Sequence, residues 1–256
     1  MNRILSIAKN TFREAVRDRV LYNLVLFVLL LIACAILLGD LTDGYEARTI
    51  VNIGLNAMLL FGTFIAIFVG VGLVSKEIEK RTVFAIFAKP VGRGEFIAGK
   101  YLGLCLTLAV NVIVMGFGVS LALLFVGGRE LFMTIWPTIL LIFFELTILT
   151  AVAILFSSFS SPALSALLTF FVFIIGHFSS SLRDLAAGIG STSAIVVFET
   201  IYYLLPNLSH FTFVTNAAHG QTPPLSMLAG SVAYAIAFDV ILIAATILVF
   251  SRRNFK

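Results

Sequence analysis

From residue 94 the chain reads Gly-Glu-Phe-Ile-Ala-Gly-Lys, so Gly94, four residues, then Gly99 and Lys100 reproduce the skeleton of a phosphate-binding loop. A working loop of that kind follows a strand, opens a helix and carries Ser or Thr after the lysine to hold Mg²⁺. Here the next residue is Tyr101, the lead-in contains Pro90, and no strand ending in acids follows to complete a metal site. The nucleotide-site reading therefore fails, and the basic, glycine-punctuated turn needs another explanation.

Two further residues have the chemistry for function. Glu145 and Asp239 each fall in the middle of a long apolar run, with Asn56 and Asn111 also at depth in such runs. Ionisable groups in hydrocarbon are costly and face protein or water, so these four residues either line a path or hydrogen-bond between helices. Neither acid is expected to have a basic partner at span depth. Cys34 and Cys105 belong to different runs and read as small apolar residues. His177, His210 and His219 are scattered toward one side without ligand spacing, so no metal site is expected.

The elements that must position these residues are membrane helices. Sixty per cent of the 256 residues are hydrophobic and 12% charged, and mean hydropathy is +1.10. Such a composition is too apolar for a water-soluble domain. Crossing about 30 Å of hydrocarbon takes about 20 apolar residues. Runs of that length occupy residues 20–39, 51–74, 101–126, 132–156, 163–182 and 226–250. The expectation is an all-α integral membrane protein, a single transmembrane domain over residues 1–256 with six spans, since lipid leaves helices as the way to pair backbone groups in such runs. The first run is too long for a signal-peptide core and lacks a small-residue cleavage site, so it reads as a retained span.

Charge sets the orientation. Of the 17 Lys and Arg residues, all but Arg48, Arg129 and Arg183 fall on one side of this arrangement. The positive-inside rule puts that side, with both termini, in the cytoplasm. The same asymmetry accounts for the basic balance of the chain, and no nucleic-acid partner is implied. Residues 183–225 include an apolar stretch, 186–205, that would become a seventh span and carry the Arg252-Arg253 tail outside. Gly188 and Gly190 weaken it as a helix, Tyr202 and Tyr203 suit the headgroup zone, and Pro206 ends it, so it reads as a re-entrant or interfacial element on the outer side.

Two segments lie outside the spans. In residues 1–19, Ile4, Leu5, Ala8, Phe12, Ala15 and Val16 recur at helical spacing, with Arg3, Lys9, Arg13, Arg17 and Asp18 on the other faces. That stripe predicts a helix lying in the membrane surface. In residues 75–100, Ile78, Thr82, Ala85 and Ile86 are at helical spacing, Pro90 stops that helix, Gly92 and Gly94 turn the chain, and Glu95 starts the next helix. A short cytoplasmic helix held between spans two and three is the prediction.

The order Glu77-x-Glu79, Thr82, Pro90-Val91, Arg93 and Gly99-Lys100 resembles that of ABC-transporter permeases of the type-two exporter class, which carry E-x-E-x-G-T, P-V-x-R and G-K across this segment. Arg81 stands where those permeases have glycine. Pro206-Asn207-Leu208 with Phe211, and Phe250 with Arg252-Arg253, resemble features of the branch that includes permeases linked to multi-copper enzyme maturation and gliding motility. The resemblance implies that residues 75–100 carry a coupling helix, with Glu77, Glu79, Arg81, Thr82, Pro90, Arg93 and Lys100 as its ATPase-coupling residues. It further implies a dimer of permease chains, identical or related, in an ATP-driven exporter of the prokaryotic inner membrane. Separate cytoplasmic ATPase subunits would bind ATP and Mg²⁺, so the chain itself would be no enzyme and hold no cofactor, with membrane lipid as its other neighbour. Two rivals follow from the residues alone: a proton-coupled secondary transporter using Glu145 and Asp239, and a passive membrane scaffold.

Overall fold

The structure, a computed structural model, describes residues 2–15, 26, 27, 30, 33, 45–79, 92–179 and 192–252. Among them there is no strand. The helices are α1 (Asn2–Ala15), α2 (Glu46–Glu79), α3 (Arg93–Phe125), α4 (Ile135–Ser157), α5 (Pro162–His177), α6 (Thr192–Leu204), α7 (Val214–Ala218) and α8 (Leu225–Arg252), with 3₁₀ turns at Arg129–Leu131 and Leu208–Phe211.

Four of these, α2, α3, α4 and α8, are long and apolar enough to cross a membrane. Among the described residues, helix α5 is apolar but has 16 residues, about 24 Å at 1.5 Å per residue, short of the roughly 30 Å of hydrocarbon; residues 180–182 of the fifth expected span lie outside them. Of the first expected span, only Leu26, Phe27, Leu30 and Ala33 are described, and all four are helical. Helix α2, with 34 residues, and α3, with 33, are each about 50 Å long, so each outruns the hydrocarbon. The excess explains why the residues bounding the linking segment are not loop: Ser75–Glu79 continue α2 without a break, and Arg93–Lys100 are the first turns of α3. Residues 80–91, with Arg81, Thr82 and Pro90, lie outside the described residues.

Helix α4 is the axis of the bundle. Of its most apolar stretch, 72% is buried inside the protein, against 17% for α8. It packs against α2, α3, α5 and α8, burying Leu141, Leu146, Ile148, Leu149 and Ile154 completely. Lipid tails are as apolar as these side chains, so helix association here rests on close packing and interhelical hydrogen bonds rather than on removal from water. Helix α3 ends in a Schellman turn: Gly127 takes φ 83°, and the amide of Gly128 donates to the Leu123 carbonyl at 2.8 Å. That backbone conformation suits glycine and reverses the chain toward α4.

Helix α6 stops at Leu204, ahead of Pro206. The Pro206-Asn207-Leu208 stretch then becomes a pinned turn. The Asn207 side-chain oxygen accepts from the Ser209 amide at 3.1 Å and from the Ser209 hydroxyl at 2.6 Å. The Asn207 amide donates to the Tyr234 hydroxyl of α8 at 2.8 Å, and Leu208 and Phe211 are buried against the core. Asparagine is needed because its side chain mimics a turn carbonyl.

Candidate functional site

One corner of the bundle is built from the turn that resembled a phosphate loop. Gly92 is the N-cap of α3, and its amide donates to the Glu95 carboxylate at 3.1 Å, half of a capping box. Residues 94–100 are regular helix, and from Phe96, whose amide donates to the Gly92 carbonyl at 3.1 Å, their amides are engaged along α3.

Gly99 and Gly103 have a packing role. They are four residues apart on one face of α3, and α1 lies across them. A Cβ at Gly99 would come within 2.7 Å of the Ile7 side chain, and one at Gly103 within 2.6 Å of the Ala8 carbonyl. Ala8, Thr11 and Ala15 of α1 are buried there. The amphipathic N-terminal helix thus forms as its periodicity predicts, and the face it buries is set by α3: Leu5 is left 72% exposed, while Thr11, outside the apolar stripe, is fully buried. Val16 lies outside the described residues.

Two charges expected at a docking surface are placed here. Lys100 is 2% exposed, 3.6 Å from the Glu14 carboxylate of α1, with its ammonium 5.8 Å from the centre of the Phe96 ring. Arg93 donates through Nη1 to the carbonyls of Phe250, at 3.3 Å, and Ser251, the unsatisfied end of α8, where a cation is favoured by the helix dipole. Phe96 stacks on Phe250 at 6.2 Å. One corner therefore ties α1, the start of α3 and the end of α8 together, and its α3 part follows directly after residues 80–91 in the chain. Glu77 and Glu79 end α2, the other helix that enters this segment.

The buried carboxylates sit elsewhere, Glu145 on α4 and Asp239 on α8. Glu145 is 1% exposed, and its Oε1 is 3.4 Å from Nε2 of His177, near the end of α5. The other ring nitrogen of His177, Nδ1, is 3.2 Å from the Phe173 carbonyl. Glu145 thus has a basic neighbour, which the scattering of histidines along the sequence did not suggest. Asp239 is 8% exposed and accepts the Thr147 hydroxyl of α4 at 2.9 Å. Asn111 is buried and donates to the Thr107 carbonyl at 2.7 Å, while Asn56 is exposed and bonds to Asn52 at 2.7 Å. The structure brings neither Glu145 and Asp239 together nor the two asparagines. Among the described residues no three His, Cys, Asp or Glu side chains gather as a metal site; Cys34 lies outside them.

Comparison with known proteins bears on the whole chain. Residues 5–255 match the profile of the family described as ABC-2 family transporter protein. A probable ABC transporter permease protein, NosY, of Stutzerimonas stutzeri is 30% identical over 143 residues, 53% of this chain and 51% of that protein. The chain thus spans about half the length of the curated relative it matches. The glycine pair, the Arg93 cap and the Glu145–His177 pair were not read from the sequence; the four-residue glycine spacing alone was a usable signal.

Proposed function

The chain belongs to the ABC-2 family of transporter proteins, an integral membrane protein and not an enzyme, and on that premise we propose that it is the membrane-spanning permease of an ATP-driven transporter. Two such chains line the pathway, and separate cytoplasmic ATPase subunits bind the segment between α2 and α3. The observation that carries this reading is the junction of α1, α3 and α8 through Lys100 with Glu14 and Arg93 with Phe250 and Ser251. A displacement applied to residues 80–92 is passed to three helices at once, which is what coupling ATP-driven closure of soluble subunits to a membrane bundle requires. The N-terminal helix and the end of α8 meet at this junction, which supports both termini in the cytoplasm and, with the basic residues there, an inner-membrane location.

The test is purification of the tagged permease from its own membranes. An ATPase subunit is expected to accompany it, and Glu77→Lys with Glu79→Lys is expected to lower both its retention and ATP turnover, since charge reversal replaces complementarity by repulsion. Arg93 is left intact because its loss would also uncap α8. A permease that retains no ATP-hydrolysing partner, or a complex indifferent to both reversals, overturns the proposal.

The buried Glu145–His177 pair favours one second reading, a proton-coupled secondary transporter. Substrate uptake by proteoliposomes driven by a pH gradient without ATP, and lost on Glu145→Gln, would establish it in place of the first.

A further inference from the structure

A groove of about 570 Å³ between α3, α4 and α8 holds a carboxylate that the bundle does not fully satisfy. Asp239 lies near the middle of the 28-residue α8. Its Oδ2 takes the Thr147 hydroxyl and the Tyr101 hydroxyl also bonds the carboxylate, but its Oδ1 is buried and has no close hydrogen-bond partner. Phe143, Phe144 and Ile243 wall the groove, and Tyr101 and Cys105 are its other polar lining. At its mouth Leu102, Ile236 and Val240 are 49%, 52% and 64% exposed. The groove therefore opens sideways, onto hydrocarbon.

A carboxylate at that depth is costly unless it is paired with a cation as well as hydrogen-bonded. Lipid tails offer neither. Tyr101–Phe125, Ile135–Ser157 and Leu225–Ser251 of a second copy of this chain contain no Lys or Arg to offer. The occupant must bring its own polar head together with an apolar body that matches the walls, within the size range of ordinary ligand pockets.

We infer that this groove binds a single-chain amphiphile with a primary ammonium head, the head on Asp239 and Thr147 and the alkyl chain along Phe143, Phe144 and Ile243. An ammonium has three donors and no acceptor, which suits a pocket floor made of a carboxylate, two hydroxyls and a thiol. The inference is independent of ATP-driven transport, because binding is read on the permease alone.

The experiment uses the full chain in nanodiscs of neutral phosphatidylcholine and a dodecylammonium probe carrying a photoreactive diazirine in mid-chain. Labelled peptides are expected from α3, α4 and α8 around Leu102, Phe143 and Ile243. Excess unlabelled dodecylammonium should displace the probe, while equal dodecanol or dodecanoate should not. Asp239→Asn should lower labelling by about tenfold or more, as loss of a buried charge partner does. Val240→Trp, which narrows the mouth and leaves the carboxylate in place, should also lower it, and this variant keeps the test decisive if Asp239→Asn does not fold. Equal competition by the alcohol, or labelling unchanged in the variants, would show a plain hydrophobic groove and overturn the inference.

Discussion

Ile7 of α1 rests on Gly99 of α3 so closely that a Cβ at Gly99 would lie 2.7 Å from its side chain. The glycine that made the sequence resemble a nucleotide site is a docking surface for the N-terminal helix. Gly99→Leu or Gly103→Leu is expected to push α1 off α3 at an overpacking cost of about 1–3 kcal/mol. Crosslinking of cysteines placed at Glu14 and Lys100 by a short bifunctional thiol reagent, in a chain whose own cysteines are replaced by alanine, checks this: it should proceed readily with both glycines present and fall sharply in either variant. Undiminished crosslinking would mean that α1 does not depend on this surface.

Arg93 caps the last carbonyls of α8, so Arg93→Gln should loosen the final turn of that helix. The favourable interaction of a cation with a helix C-terminus is about 0.3–1 kcal/mol, so hydrogen exchange of the amides at residues 248–252 should rise by roughly two- to fivefold. Arg93→Lys should recover part of the protection. No change in exchange would count against the cap.

Tyr234 supplies the acceptor for the amide of the buried Asn207. Tyr234→Phe leaves that amide without it, at an expected cost of about 1–3 kcal/mol. Thermal unfolding in detergent should move to lower temperature, and protease nicking between residues 205 and 224 should accelerate. A variant as stable and as resistant as the parent would contradict the pinned turn.

Glu145 and His177 should show energetic coupling. A double-mutant cycle of Glu145→Gln and His177→Gln is expected to return an interaction of about 0.5–3 kcal/mol, as neighbours in one network do. A term of zero within error would mean that their 3.4 Å approach contributes nothing to stability.

The two ends of α8 should lie on opposite sides of the membrane. In a chain whose own cysteines are replaced by alanine, Gln221→Cys is expected to react with an impermeant thiol reagent in intact cells. Ser251→Cys and Thr82→Cys should react only after permeabilisation. External labelling of residue 251 or 82 would invert the topology.

Membrane class, helical architecture and the long apolar helices were legible in the sequence because hydrophobic run length and backbone pairing in lipid are local requirements. The end of α3 after Phe125 and of α6 before Pro206 could be read for a similar reason, since Gly127 and Pro206 act within one turn of themselves. The amphipathic period of residues 2–15 determined that α1 forms. Which neighbour it meets was decided by a glycine pair about ninety residues away. The same holds for Glu145 with His177, Thr147 with Asp239, and Arg93 with the end of α8. Each pair joins residues far apart in sequence, and nothing in hydropathy fixes the rotation of one membrane helix against another, because every apolar face is equally at home in lipid. Rotation and depth are set by where small residues let backbones approach and where polar groups find partners, and those conditions exist only once the helices are packed.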